Sequence, residues 1–470
     1  MAGAPLPPGP TWPAAIQGIG FWSRPIAFLE RCRARYGNRF TIRLPLAPPF
    51  VMLADPDEIR EVYTAPPDVL HPGAGARVLE PIVGSSSVIL LDGDAHMEQR
   101  RLMLPAFHGE RIARLQSLVQ EAVERELHGW PSDRQLELHG RLQRMTLEII
   151  LRAVFGLQPS GRMDALRDRL SEMLAFGDQA ISLIPPPAGS RAERVLERVG
   201  PFARFARIRA EADELLFALI DERRREEADR DDVMAMLLQA RHEDGGSPMS
   251  REEVRDELLT MLVAGHETTA SSLAWCFDVL AHRPDVVAEL RAEETSGGDD
   301  YLDAVLHENL RCRPVLPNSA PRLVVKPLEV GGWRYPEGVC LVPNAYLVHH
   351  DPVLYEDPYA FRPERFVGVK QPDDPGAARK GEPGRRAGGR PGTYTWIPFG
   401  GGRRRCLGAA FAMLEMRVVL RSVLRERDLQ PVDAAPALSR RRNITIRPGR
   451  GCRVRLPERS RAPEPVAVAA

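Results

Sequence analysis

The stretch Phe399-Gly400-Gly401-Gly402-Arg403-Arg404-Arg405-Cys406-Leu407-Gly408 decides how the rest of the chain is read. Glycines lie on both sides of one cysteine, and the run Ala409 to Leu424 that follows has the apolar spacing of a helix. The pattern is FxxGxxxCxG. Glycine removes side-chain bulk, so the backbone around Cys406 leaves room for something flat to approach the sulfur. The following helix turns unpaired amides and the positive end of its dipole toward that sulfur, which favours the thiolate. A phosphate-cradling loop is the competing reading. It fails because there is no GxxxxGK(S/T) run, and Gly400 and Gly402 lack the third glycine of a dinucleotide fingerprint. A thiolate tuned by a helix end is suited to an iron held in a macrocycle, where the axial sulfur sets the metal's electronics.

Bulk properties are compatible with such a protein. A chain of 470 residues can be one large domain wrapped around a cofactor or several smaller ones. Its 43% hydrophobic and 27% charged residues are ordinary for a globular core, which excludes wholesale disorder. Lys plus Arg equals Asp plus Glu at 64 each, so no global imbalance points to nucleic acid or to an anionic membrane. The six cysteines, at 32, 276, 312, 340, 406 and 452, form no CxxC pair, which argues against a zinc site or a disulfide framework and suits a reducing compartment. From Met1 to Trp22 the chain carries Pro5, Pro7, Pro8, Pro10 and Pro13 and lacks a charged and apolar leader. No stretch reaches the roughly 18 apolar residues of a membrane span. A soluble, cytoplasmic protein without a membrane anchor or a nucleic-acid partner is expected.

Along the chain, Phe40, Ile42 and Leu44 alternate with polar residues and Phe50 to Leu53 follows a Pro-rich turn, which predicts a strand pair. Helical spacing then dominates at Ile112 to Leu127, Leu142 to Phe155, Val195 to Arg225 and Val233 to Ala240. Strand-like pieces return at Leu328 to Tyr335, Val339 to Val342 and Ile444 to Leu456. The expected fold class is mainly α with small β-sheets. Pro185-Pro186-Pro187, Glu243 to Met249 and the basic Gly/Pro-rich segment Gln371 to Gly392 read as loops or inserts.

Three further motifs carry chemistry. Arg251 to Arg283 predicts a long helix with Ala264-Gly265-His266-Glu267-Thr268-Thr269 near its middle, where small residues let a ligand approach. Thr268 can bond back to a carbonyl of the preceding turn, and Glu267 sets an acid beside that alcohol. HETTA lacks the second histidine of HExxH, so a zinc protease is excluded. Glu308-Asn309-Leu310-Arg311 places an acid and an arginine on one helical face, and Phe361-Arg362-Pro363-Glu364-Arg365-Phe366 offers Arg365 to the same network. His96 and Arg100, at i and i+4, are suited to gripping a carboxylate.

Taken together, these motifs resemble the cytochrome P-450 family, over Pro7 to Leu456. AGHETT is similar to the family's oxygen-activating helix, ENLR to its glutamate-arginine pair, FRPERF to the loop that closes that triad, and FGGGRRRCLG to its cysteine loop. The resemblance implies a single triangular domain spanning 1–470 around a buried haem b (iron protoporphyrin IX). A Pro-rich segment at 1–20, the insert at 371–392 and a tail at 458–470 are its appendages. It implies Cys406 as iron ligand, and Thr268 and Glu267 as the groups that deliver protons. It also implies His96, Arg100, Arg322 and Arg404 at the propionates, with Ala264, Phe399, Gly400 and Gly408 against the macrocycle. Glu308, Arg311 and Arg365 are implied to be structural.

The activity implied is insertion of one atom of O2 into a hydrophobic small molecule, by hydroxylation or epoxidation. The substrate would be lined by parts of Ala74 to Val88, by Leu262, Val263 and Ala264, by Val315 to Ser319, and by Ile444. No flavin or nicotinamide segment is recognisable, so electrons are expected from a separate ferredoxin and ferredoxin reductase. The insert, with Arg403, Arg417, Arg421 and Arg425, is expected to steer that acidic partner. A peroxide-driven peroxygenase and a non-catalytic haem sensor are the alternatives. Glu267-Thr268 argues against the first, and the second needs a distal ligand for which His266 is the only nearby candidate.

Overall fold

β1 (Arg39–Ile42) and β2 (Phe50–Leu53) pair antiparallel with Phe40 opposite Met52, as their alternation predicts. In the computed structural model, which describes residues 5–107, 110–156, 161–177, 200–226, 230, 232–243, 245–369 and 392–459, helices dominate around this small sheet. They are α1 (Ala14–Ser23), α2 (Pro25–Tyr36), α3 (Pro56–Thr64), α4 (Gly93–Met103), α5 (Glu110–His128), α6 (Leu138–Ala153) and α7 (Gly161–Gly177). Beyond them lie α8 (Gly200–Arg225), α9 (Val233–Gln239), α10 (Arg251–Ala281), α11 (Pro284–Ser296), α12 (Asp300–Cys312) and α13 (Ala409–Glu426), besides shorter turns.

The later strands include β3 (Leu70–His71), β5 (Arg322–Val324) and β8 (Cys340–Pro343), which complete a sheet in the order β1-β2-β8-β5-β3. Leu328 to Tyr335 divides into the hairpin β6 (Leu328–Val330) and β7 (Trp333–Tyr335), because Gly331 and Gly332 turn the chain at φ 55° and 72°. Ile444 to Leu456 likewise divides, at Pro448 and Gly449. Its first part, β11 (Thr445–Pro448), pairs with β10 (Ser439–Arg442), and its second, β12 (Arg453–Arg455), joins β4 (Leu136–Glu137) and β9 (Gln430–Pro431).

Pro185-Pro186-Pro187, the Gln371 to Gly392 insert except Gly392 itself, and the 458–470 tail from residue 460 lie outside the described residues. The N-terminal segment differs from expectation. Its prolines end at Pro13, and Ala14–Ser23 then forms a helix that buries Gln17, Gly18 and Phe21. The Pro-rich stretch before it is tied to the sheet, where Thr41 donates its backbone amide to the Pro8 carbonyl at 3.0 Å and its hydroxyl to that of Pro7 at 2.7 Å.

Helix α10 is the axis of the molecule. Ser250 accepts from the Glu253 amide and the Glu253 carboxylate accepts from the Ser250 amide, a reciprocal cap that starts the helix sharply. Most side chains from Val254 to Ala281 are buried. Gly265, expected to make room for a ligand, instead faces α6, where an added Cβ would come 2.9 Å from Ile150 Cδ1. The glycine is a helix-packing residue.

Two buried polar assemblies fix the segments around α10. In the first, Arg311 donates Nε and Nη2 to the two Glu308 oxygens at 2.7 and 2.8 Å, both side chains fully buried, and Arg365 Nε lies 3.5 Å from Glu308. Arg311 also donates to the carbonyls of His349, Pro358 and Ala360 at 2.8, 2.8 and 3.1 Å, while Glu308 accepts from the Arg362 amide. Burial works against the guanidinium charge, and the Glu308 hydrogen bonds more than offset it, holding Arg311 above its ordinary range.

In the second assembly, the segment 84–92 is stitched to α10 on one side. Asp256 accepts from the Ser86 amide at 2.8 Å, Glu257 from the Val88 amide at 2.7 Å and Gln99 at 3.0 Å, and Thr260 bonds Ser87 at 2.7 Å. On the other side Arg404 donates to the Val88 carbonyl at 3.1 Å and to Asp92 at 2.7 Å.

Arg311→Ala leaves Glu308 charged and buried without its partner, and is expected to cost about 3–5 kcal/mol in denaturant unfolding. A loss of only surface size would show that the pair does not organise the core. Burial pushes the Glu257 carboxyl up to about 8, despite the hydrogen bonds from Gln99 and Val88. An unfolded glutamate ionises near pH ~4.3. Between the two values the folded chain therefore holds a proton that the unfolded chain has released, and stability falls as pH rises through that window. Glu257→Gln is expected to flatten this fall; parallel pH-stability curves for the two proteins would refute a protonated Glu257.

Candidate functional site

Of the six cysteines, Cys32, Cys276, Cys312, Cys340 and Cys452 are buried and Cys406 alone is exposed. Burial pushes the thiol of Cys32 up to about 11, those of Cys276, Cys312 and Cys340 to about 12, and Cys452 well above its ordinary range. Those five are inert small hydrophobes. The Cys406 amide closes its loop by donating to the Phe399 carbonyl at 2.9 Å, and Phe399 packs edge-on against Trp396.

The triple glycine has a more local cause than ligand approach. Gly400 and Gly402 sit at φ 71° and 62°, the left-handed region, and a Cβ on Gly402 would lie 2.2 Å from the Tyr63 carbonyl oxygen. A Cβ on Gly401 would meet the Tyr63 ring at 2.4 Å. Gly408 is the glycine whose Cβ would meet nothing within 4 Å, so the open space lies on the helix side of the cysteine. Gly408 also caps α13 without a side chain.

A group of cations gathers beside this loop. His96 and Gln99 are buried on α4, and Arg100 follows one turn after His96. Burial first, then the charges of Arg404 and Arg100, push His96 down to about 3. Burial also lowers Arg100 and Arg322, and brings Arg404 to about 10, with Arg322 and Arg100 adding to the effect. Arg322 is buried with its guanidinium over the Tyr63 ring, 4.5 Å from the centroid. Asp92 is the carboxylate paired with Arg404, at 2.7 Å, and is shared with the amides of Gly73 and Ala74. Several desolvated cations around one carboxylate leave positive charge that suits an anionic ligand.

Opposite, the largely buried α10 opens at Val263, Ala264, Glu267 and Thr268, with Ala264 exposed although it lies mid-helix. Thr268 donates its hydroxyl to the Ala264 carbonyl at 2.6 Å, the back-bond that the sequence predicts. Glu267 leaves the helix in another direction. It accepts from Gln143 at 2.6 Å, Ser271 at 2.9 Å and Arg442 at 3.0 Å, with His139 3.5 Å away. Burial raises its carboxyl, but the His139 hydrogen bond and the Arg442 charge outweigh that and bring it down to about 2. His266 is buried against α6, with Thr146 donating to its carbonyl, and burial pushes its imidazole down to about 4.

Several expectations need adjusting. Leu262 and Val315 are buried in the core, Val315 against Trp275, whereas Ala74, Val78, Leu79, Val263, Ala264, Leu316 and Ile444 of the anticipated apolar lining are open or half-buried. Three arginines expected to steer a partner are already paired: Arg417 with Asp303, Arg421 with Asp299 and Arg425 with Glu294. Their charge is neutralised by acids on or beside α11 and α12, which the linear sequence does not place next to them. Arg403 remains exposed. Sequence reasoning also missed Gln143, His139 and Arg442 around Glu267, and Tyr63 beneath Arg322. The arginine run at 440–442 was visible, but its target lies 175 positions away.

Among the described residues, no group of three or more His, Cys, Asp or Glu side chains could hold a metal ion. An exposed thiol, a helix opened at small residues and a cationic rim suit a flat, apolar, dicarboxylate macrocycle such as haem.

Comparison with known proteins agrees. The Cytochrome P-450 family model matches residues 7–450. A Mycobacterium tuberculosis protein named "Putative cytochrome P-450 135B1" is 37% identical, over 96% of this chain and 91% of its own. The Mycobacterium bovis "Putative cytochrome P-450 138" is 36% identical, over 96% of each. The fold matches retinoic acid-bound cyanobacterial CYP120A1 at a TM-score of 0.78 and 23% identity, over 97% of this chain and 100% of that one. By its family match and by relatives 36% and 37% identical along nearly its whole length, the chain belongs to the cytochrome P-450 family of haem-dependent monooxygenases.

Proposed function

We propose that this protein binds haem b through Cys406 and oxidises a hydrophobic small molecule by hydroxylation or epoxidation, with residues 1–470 acting as one domain. The observation that carries the reading is the exposure of Cys406 alone among six cysteines, in a loop that leads into α13. Bound haem supplies the activation of O2 and the transfer of one oxygen atom to the substrate. His96, as a neutral donor, and the desolvated guanidinium groups of Arg100, Arg322 and Arg404 would hold its propionates. Ala264, Phe399, Gly400 and Gly408 would lie against the ring.

On the distal side, Thr268 presents a hydroxyl whose own proton is committed to the Ala264 carbonyl, so its oxygen is free to accept and order a water. Glu267 is the acid that passes protons inward. Its low-lying carboxyl stays ionised while Arg442, Gln143 and Ser271 hold it, and it takes up a proton only by loosening that grip. Arg442 thus acts as a positioning residue for Glu267. Burial of His266 against α6 disfavours a sensor with a second protein ligand. Val263, Ala264 and Ile444 present an apolar wall suited to a lipophilic substrate. Electrons come from a separate ferredoxin and its reductase, with Arg403 as an exposed charge on the loop beside Cys406.

The reduced, carbon monoxide-treated protein is expected to show a strongly red-shifted Soret band that disappears in Cys406→Ser. An unchanged spectrum, or no haem after haem supplementation, defeats the assignment. Thr268→Ala is expected to keep that band while product per reducing equivalent falls about 10²-fold or less and hydrogen peroxide release rises. Undiminished coupling would remove Thr268 from proton delivery.

A further inference from the structure

The two oxygens of Glu267 meet different kinds of donor. Oε2 accepts from the Gln143 amide at 2.6 Å and the Arg442 guanidinium at 3.0 Å. Neither group gives up a proton near neutral pH, so this side can hold the carboxylate in place but cannot charge it. Oε1 accepts from the Ser271 hydroxyl at 2.9 Å, with His139 Nε2 3.5 Å away. Ser271 Oγ in turn lies 3.2 Å from His139 Nε2. The serine's single proton is committed to the carboxylate, so its oxygen can only accept from the ring, which requires a proton on His139 Nε2. His139 Nε2–H, Ser271 Oγ–H and Glu267 Oε1 therefore make a chain of hydrogen bonds that runs in one direction, toward the acid.

The fold keeps this chain dry and in register. His139 and Ser271 are 1% and 0% exposed. His139 sits in the first turn of α6, where the amides of Leu138 and His139 donate to the carbonyls of Cys452 and Gly451 at 2.9 Å each. These bonds satisfy amides that a helix start leaves without partners, and they fix the ring against α10. The surface is nearby: Glu137, two residues earlier, is exposed, and its carboxylate covers Gly451. His266, the other imidazole acting on Glu267, is no rival, because burial pushes it down to about 4 and leaves it neutral. Of the interactions that lower the Glu267 carboxyl, the His139 hydrogen bond comes first, ahead of the Arg442 charge. A proton that leaves Nε2 for Glu267 thus removes, in the same movement, the interaction that most opposes its arrival.

We propose that His139 and Ser271 feed protons to Glu267: a solvent proton enters the imidazole at Nδ1, the Nε2 proton passes to Ser271 Oγ, and the serine's own proton passes to Glu267 Oε1. One proton enters, one reaches the acid, and no electron moves. The ring is left with its proton on Nδ1 and resets by exchange with solvent. Both side chains act through Glu267 and are positioning residues rather than catalytic ones. The proposal rests on the haem reading and supplies a source for the proton that Glu267 delivers.

The first test is nitrogen NMR of the full chain labelled at histidine, in its reduced, carbon monoxide-bound form, with His139→Gln identifying the resonance. A protonated Nε2 is expected. An unprotonated Nε2 overturns the proposal, because Ser271 would then donate to the ring and not to Glu267. The second test needs no substrate. Electrons are supplied through a ferredoxin and its reductase, and the share of consumed O2 released as hydrogen peroxide, against that reduced to water, is measured in light and heavy water. His139→Gln, and separately Ser271→Ala, are expected to raise that share about twofold or more and to alter its solvent isotope effect. A share that neither variant changes overturns the proposal. So does a rise with the isotope effect unaltered, which a packing defect would produce. Absence of the carbon monoxide Soret band from the unmodified protein would defeat the haem reading instead, so the two failures are distinct.

Discussion

The buried Arg311–Glu308 pair is the constraint on which the rest of the structure depends. Two fully buried charges cost desolvation that their mutual attraction alone repays poorly, so the hydrogen bonds they make to neighbouring segments decide their worth. Here those bonds run to the carbonyls of His349, Pro358 and Ala360 and the amide of Arg362, which orders a loop with little regular structure. His349 then accepts from the Ile397 amide at 2.8 Å, and Trp396 donates to the His307 carbonyl at 3.2 Å. The approach to the cysteine loop is thus fastened to α12, and the position of Cys406 follows from an ion pair that never touches it.

A second constraint joins the two sides of the site. The 84–92 segment gives amides to Asp256 and Glu257 on α10 and carbonyls to Arg404 on the cysteine loop, and Val88 serves both. Helix α4, which carries His96 and Arg100, follows directly after it. Arg404 therefore has two tasks, to hold this segment and to lend charge to the rim. Burial first, and then the nearby charges of Arg322 and Arg100, depress its basicity, while Asp92 works against them.

The distal side combines a loosened helix with a restrained acid. The Thr268 back-bond is the local perturbation expected of a threonine in mid-helix. Glu267 is held by donors from α6, α10 and the β10–β11 hairpin, so its motion is coupled to elements that border the apolar wall at Ile444. An acid stabilised in its ionised form is a poor proton donor until its partners move. The groups that hold Glu267 ionised, Gln143, Ser271 and Arg442, thus lie outside the AGHETT motif.

The sequence by itself determined the local features. Cys406 stood out through its glycines and following helix, the Thr268 back-bond through residue type, and the Glu308–Arg311 pair through its i, i+3 spacing. Strand pairing at Phe40 to Leu53 was legible from alternation, and the long helices from their period. These depend on neighbours within a few residues, where chain geometry is set by bonding. What only the tertiary structure decided involves partners far apart in the chain: Arg442 at Glu267, Tyr63 beneath Arg322 and Gly401, Asp303 neutralising Arg417, and Ile150 against Gly265. The exposed face of α1 belongs with them. Which face of a helix is buried depends on what the rest of the chain places beside it.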